Sequence, residues 1–70
     1  MKKELRLKGD YITLGQLLKA AGLVGSGSEA KECIVSGMVT VNGEVDTRRG
    51  RKLYPGDKVV FENTETEVVR

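Results

Sequence analysis

Hydrophobic positions in this chain follow helical spacing twice and then switch to alternation. Leu14, Leu17, Leu18 and Ala21 recur at i, i+3, i+4 and i+7, so the pattern predicts a helix with one apolar face. Thr13 and Gln16 stand at N-cap and N3, the spacing of a capping box, and Gly22 ends the run. Gly15 lies in the first turn and costs about 1 kcal/mol against alanine, which predicts fraying there. Ala30, Cys33 and Ile34 form a second helical stripe, opened by a Ser26/Glu29 capping box and closed by Gly37. Only Leu23 to Gly25 separates the two helices. Val39 and Val41 then alternate with Met38 and Thr40, which is strand periodicity. Asn42-Gly43 is a strong hairpin signal, because a type I′ turn needs positive φ at both central residues. Glu44 and Val45 begin the returning strand.

Outside this central stretch the pattern is that of strands and turns. Lys3 to Leu7 alternates, with Leu5 and Leu7 on one side, and predicts a first strand at a sheet edge. Gly9-Asp10 is a turn. Pro55-Gly56 has proline and glycine at the two central positions of a β-turn. Lys58 to Phe61 predicts a strand with Val59 and Phe61 on one face. Asn63-Thr64 is expected as a polar turn, and Thr66 to Val69 as a last, weaker strand. The sum is an α+β fold: two short helices packed on a small, mostly antiparallel twisted sheet, in a single domain spanning residues 1–70.

Composition narrows the function. A chain of 70 residues buries only about 60% of its unfolded surface, so its core is modest. One cysteine permits no internal disulfide, and a reducing, cytoplasmic setting is the simplest reading. No apolar run approaches the roughly 20 residues of a membrane span, and the basic N-terminus has no apolar segment behind it. With no histidine and one cysteine, the usual zinc sites and Ser-His triads are excluded. No carboxylates sit in a motif suggesting a shaped pocket. The expectation is a non-enzyme without metal or cofactor. Cys33 is expected in the core and Asn42 in turn chemistry.

The net charge of +2 conceals a local concentration: Arg48, Arg49, Arg51 and Lys52 place four positive charges in five positions. Arginine presents a planar fork that binds phosphate oxygens bidentately. A solvated loop that keeps a sheet edge soluble is the plain alternative. A second candidate is the start of the second helix, Ser26, Gly27, Ser28 and Lys31, where backbone N–H groups and partial positive charge suit a phosphate. For Ser26 the plain alternative is a helix cap. Tyr11, Tyr54 and Phe61 are too few for a stacking platform of several rings.

The run Ser26-Gly27-Ser28-Glu29-Ala30-Lys31, followed by Ile34, Gly37, Val39, Val41, Asn42 and Gly43, resembles the S-four RNA-binding domain, whose core is the αL motif. Gly56-Asp57-Lys58-Val59 fits that family's closing turn and strand, and the resemblance covers about residues 12–61. It implies a short, stand-alone bacterial RNA-binding module with structured RNA, ribosomal RNA above all, as its partner. Ribosome association or assembly is the implied setting, and a monomer is assumed. The implied contacts are Ser26, Ser28, Lys31, Arg48, Arg49, Arg51 and Lys52. Three positions depart from the family pattern, two of them lost arginines: Thr13-Leu14-Gly15 stands where Arg-Leu-Asp is common, and Gly27 stands where an arginine is usual. Two rivals belong to other classes. A β-grasp sulfur carrier would need a C-terminal Gly-Gly, whereas this sequence has Val68-Val69-Arg70. A protein-interaction adapter would use the acidic stretch of Glu62, Glu65 and Glu67 or an exposed sheet edge.

Overall fold

A computed structural model describes residues 1–70. The elements are strand β1 (Lys2–Arg6), strand β2 (Ile12–Thr13), helix α1 (Leu14–Ala20), helix α2 (Gly27–Val35) and strands β3 (Val39–Val41), β4 (Glu44–Val45), β5 (Lys52–Leu53), β6 (Lys58–Phe61) and β7 (Thr64–Val69). Five strands form one sheet in the order β1-β7-β6-β3-β4, and β2 pairs with β5 in a separate ribbon. All pairings are antiparallel except β1 with β7. No helix is long and apolar enough to cross a membrane.

Both helices begin where the caps place them. The Gln16 N–H donates to Thr13 Oγ1, and the Thr13 N–H donates to Gln16 Oε1, so the first capping box closes in both directions. The second box closes only halfway. The Glu29 N–H donates to Ser26 Oγ at 3.1 Å, but the Glu29 carboxylate accepts from the Gly25 N–H at 2.7 Å instead of reaching Ser26. It thereby ties the interhelical connection to the helix it enters. Asn42 and Gly43 have φ of 52° and 88°, as a type I′ turn requires. The Asn42 side chain spans two turns, donating to Asp57 Oδ1 and accepting from the Lys58 N–H.

The helices lie on one face of the sheet. Leu14, Leu17, Leu18, Ala30 and Ile34 pack with Val39, Val41, Val59, Phe61 and Val68, and Leu53 joins them from the ribbon. Cys33, expected in the core, is half-buried at its margin, where burial pushes its thiol pKa up and nearby carboxylates add to the effect.

The C-terminal third departs from the sequence pattern. The turn falls on Glu62-Asn63, both at positive φ, and Thr64 already belongs to β7. That strand is six residues long and sits inside the sheet, hydrogen-bonded to β6 on one side and β1 on the other. Glu65 and Glu67 are therefore strand residues, opposite Lys2 in β1 and Lys58 in β6 respectively, not an acidic tail. Gly15 differs too. It is buried, its N–H donates to the Arg49 carbonyl at 3.1 Å, and the first turn of α1 is regular where fraying was expected.

Candidate nucleic-acid interface

The segment joining β4 to β5 carries the dense positive charge, and one buried carboxylate shapes it. Asp46 accepts from the Arg48 backbone N–H, from Arg48 Nε at 3.1 Å and Nη2 at 2.9 Å, and from Arg51 Nη1 at 2.7 Å. The Arg48 side-chain hydrogen bonds are the largest influence holding its carboxyl well below the usual carboxylate range; burial opposes them and the Arg51 bond assists. The Asp46 side chain is 4% exposed, Arg51 is 30% and Arg48 is 71%. Arg51 is thus partly committed to the loop's own structure, while Arg48 is fixed at one edge of its guanidinium and still open to solvent.

Arg49 makes no such pair. Backbone bonds from Leu14 N–H to the Arg51 carbonyl and from Gly15 N–H to the Arg49 carbonyl lay the loop across the start of α1. The Arg49 side chain then runs over Gly15. A Cβ at that position would stand 2.8 Å from Arg49 Cγ. The glycine in the first turn is the space the arginine occupies.

From this seat Arg49 reaches two open grooves. One is lined by Arg49 with Ser28, Lys31, Glu32, Val35 and Ser36 of the α2 side. The other is lined by Arg49 and Gly50 with Thr13, Gln16 and Lys19 of the α1 side and Gly27. The loop and the beginning of α2 therefore share one face, with Arg49 between them. Gly27 and Ser28, whose N–H groups in the first turn of α2 have no helical acceptor, line these grooves. The Ser26 hydroxyl is engaged by the Glu29 N–H.

A family model described as the S4 domain matches residues 5–69. The chain belongs to the S4 domain family. S4 domains are RNA-binding modules, not enzymes. Two relatives have nearly its length. "Probable ribosome maturation protein RlbA" of Bacillus subtilis (strain 168) is 47% identical over 62 residues, covering 89% of this chain and 87% of that protein. YbcJ of Escherichia coli (strain K12) is 39% identical over 62 residues, covering 89% of each. A tyrosine–tRNA ligase of Burkholderia lata is 44% identical over 54 residues, 77% of this chain but 13% of the ligase. The solution structure of E. coli YbcJ, described as revealing an αL motif involved in RNA binding, superimposes with a TM-score of 0.70 at 36% identity, covering 99% of this chain and 86% of that one.

Within this S4 domain, Ser28, Lys31 and Arg49 come together around one groove. Arg48 and Arg51 project from the same loop, joined through Asp46. Lys52 lies apart from them on β5, with its Nζ 4.9 Å from the centre of the Tyr11 ring. Three participants are not apparent in a search for basic clusters. Lys19 and Gln16 line the α1-side groove, and Asp46 organises the loop. The helical spacing of 16 and 19 was visible, but nothing local shows that this side of α1 meets Arg49. An acidic residue beside a run of arginines reads as diluted charge until its burial is known.

Proposed function

We propose that this S4 domain binds structured RNA, ribosomal RNA in particular, through the face centred on Arg49. Ser28 and Lys31 contribute from α2, Arg48 and Arg51 from the loop, Lys52 from β5, and Ser26 by holding the α2 N-terminus open toward the phosphate. The observation that carries the proposal is the position of Arg49, an unpaired guanidinium lining both grooves between two helix starts. Such a surface binds phosphate oxygens at a spacing set by the protein and reads RNA shape more than sequence. Thr13 and Gly27 stand where the family pattern has arginine, and the dense loop supplies the positive charge they lack. The printed name of RlbA and the length it shares with this chain support ribosome association or maturation in the cytoplasm as the setting.

The test is binding to purified ribosomal RNA and to an unrelated structured RNA across a salt series. The informative variant is Arg49→Ala combined with Lys31→Ala. Alanine at Arg48 and Arg51 would leave the buried Asp46 carboxylate without a cationic partner and confuse folding with binding. Each lost phosphate contact lowers the log–log salt slope by about 0.7–0.9. The double variant is expected to bind both RNAs more weakly with a shallower slope, while wild-type protein favours ribosomal RNA. Equal affinity and slope for the two proteins would refute the assignment of this face.

A further inference from the structure

The ribbon of β2 and β5 turns Ile12 and Leu53 inward and places alternate residues outside. Leu53 is fully buried and Ile12 packs against the core. The register pairs Ile12 with Leu53 and Thr13 with Lys52. Tyr11 and Tyr54, flanking these pairs, meet on the outer side with ring centroids 6.2 Å apart and planes at 52°. Lys52 Nζ lies 4.9 Å from the Tyr11 ring centre, within cation–π range. Tyr11 also forms a wall of a separate hollow, floored by Leu5, Leu7 and Ile12 and flanked by Arg6 and Lys8. Thr13 continues the outer row into the groove that holds Arg49 and Gly50. An aromatic pair with cations on either side is thus continuous with the phosphate-binding face.

A purely structural ring pair would be covered by the fold. Here Tyr11 is 45% exposed and Tyr54 49%, so nearly half of each residue stays open to solvent, with Lys52 the cation beside the Tyr11 ring. Two rings cannot hold a strand of stacked bases, but they present enough π surface for one. Base–aromatic stacking needs only a face, and a neighbouring lysine supplies charge for the flanking phosphate.

We propose that the Tyr11–Tyr54 pair with Lys52 is a docking site for a single unpaired base. The preferred ligand is then a structured RNA carrying an unpaired nucleotide beside a helical segment: the helix phosphates lie on the Arg49 face and the extruded base stacks on the tyrosines. This inference rests on the RNA-binding reading above and specifies the class of RNA.

The chain contains two tyrosines and no tryptophan, so its intrinsic emission reports on this site alone. Two RNA hairpins serve as probes, identical except that one carries a bulged adenosine in its stem. Affinity is read by anisotropy of an end-labelled RNA, and stacking by tyrosine quenching with unlabelled RNA, corrected against the fully paired hairpin. Both hairpins are expected to bind. The bulged one should bind about five- to a hundredfold more tightly and quench tyrosine emission. Tyr54→Leu should erase the preference while leaving affinity for the paired hairpin unchanged, and Tyr54→Phe should preserve it. The Tyr54 backbone N–H, not its ring, anchors the Pro55-Gly56 turn to Asp57, so neither substitution removes that anchor. If both hairpins bind equally, or the preference survives Tyr54→Leu, the base site is overturned while RNA binding stands. If neither hairpin nor ribosomal RNA binds, the RNA reading falls and the base site with it.

Discussion

At the scale of single residues, Asp46 and Gly15 decide what the basic loop is. Asp46 is nearly buried and receives two guanidinium groups, so its folded-state pKa is depressed below the ordinary 3.8. A carboxyl depressed on folding adds stability above its unfolded pKa and loses that contribution as pH falls toward the folded one. Wild-type protein should therefore lose stability between about pH 5 and 2 more steeply than Asp46→Asn. Above that window the variant should be weaker by about 1–3 kcal/mol, the cost of charge-assisted bonds lost at a buried site. Urea unfolding midpoints across the series measure both, and parallel curves would mean that the pairing is energetically idle. Gly15 makes the complementary case. Alanine there gains about 1 kcal/mol of helix propensity but must displace the stem of Arg49. Gly15→Ala should leave stability within about 1 kcal/mol of wild type and weaken RNA binding, as urea unfolding and anisotropy would show. Unchanged RNA affinity would mean that the arginine's seat over the helix does not matter. Neither effect is legible in the sequence, where Gly15 is a helix weakness and Asp46 a stray acid. Gly15 acquires its meaning from a backbone bond to Arg49, more than thirty positions away, and Asp46 from its burial beneath Arg48 and Arg51.

At the scale of elements, the parts set by neighbours in sequence were legible and those set by distant pairing were not. The Thr13 and Ser26 caps, Gly37, the Asn42-Gly43 turn and the apolar stripes of both helices depend on residues a few positions apart, and the structure carries them, except that Ala21 is the C-cap of α1 and Cys33 lies at the core's margin. Strand β7 shows the opposite. Thr64-Glu65-Thr66-Glu67 has no apolar alternation, so its first half is invisible to hydrophobic periodicity, yet parallel pairing with β1 and antiparallel pairing with β6 place it inside the sheet. Thr66 sits there at 1% exposure, with a hydroxyl that finds no hydrogen-bond partner. An unsatisfied buried hydroxyl costs about 1–3 kcal/mol, and valine has nearly the same shape with good strand propensity. Thr66→Val should raise stability by about 1 kcal/mol in urea or thermal unfolding. A loss of stability would show that the hydroxyl has a partner, such as a bound water, that the fold depends on.

At the scale of the whole molecule, the charge distribution separates two explanations of RNA binding that a net charge of +2 cannot. The helices and the basic loop occupy one side. On the far side of the sheet Lys2 and Lys58 are interleaved with Glu4, Glu65 and Glu67, so positive charge there is locally balanced. That two-sidedness was only half legible: the basic and acidic runs were evident, but their assignment to different faces follows from the insertion of β7 and the folding of the loop across α1. The molecule measures 29 × 20 × 19 Å, and its shortest dimension exceeds two Debye lengths of about 8 Å at physiological salt. A charge on the far side is therefore screened from RNA bound at the Arg49 face. Arg49→Glu and Lys58→Glu each take the net charge from +2 to zero, yet they test different things. If binding is local, Arg49→Glu should lower RNA affinity about tenfold or more at physiological salt, while Lys58→Glu lowers it less than about twofold. The difference should narrow at low salt, where screening reaches about 30 Å and the far face is felt. Equal losses at physiological salt would mean that RNA responds to overall charge, and the grooves beside Arg49 would then have no special claim as the binding face.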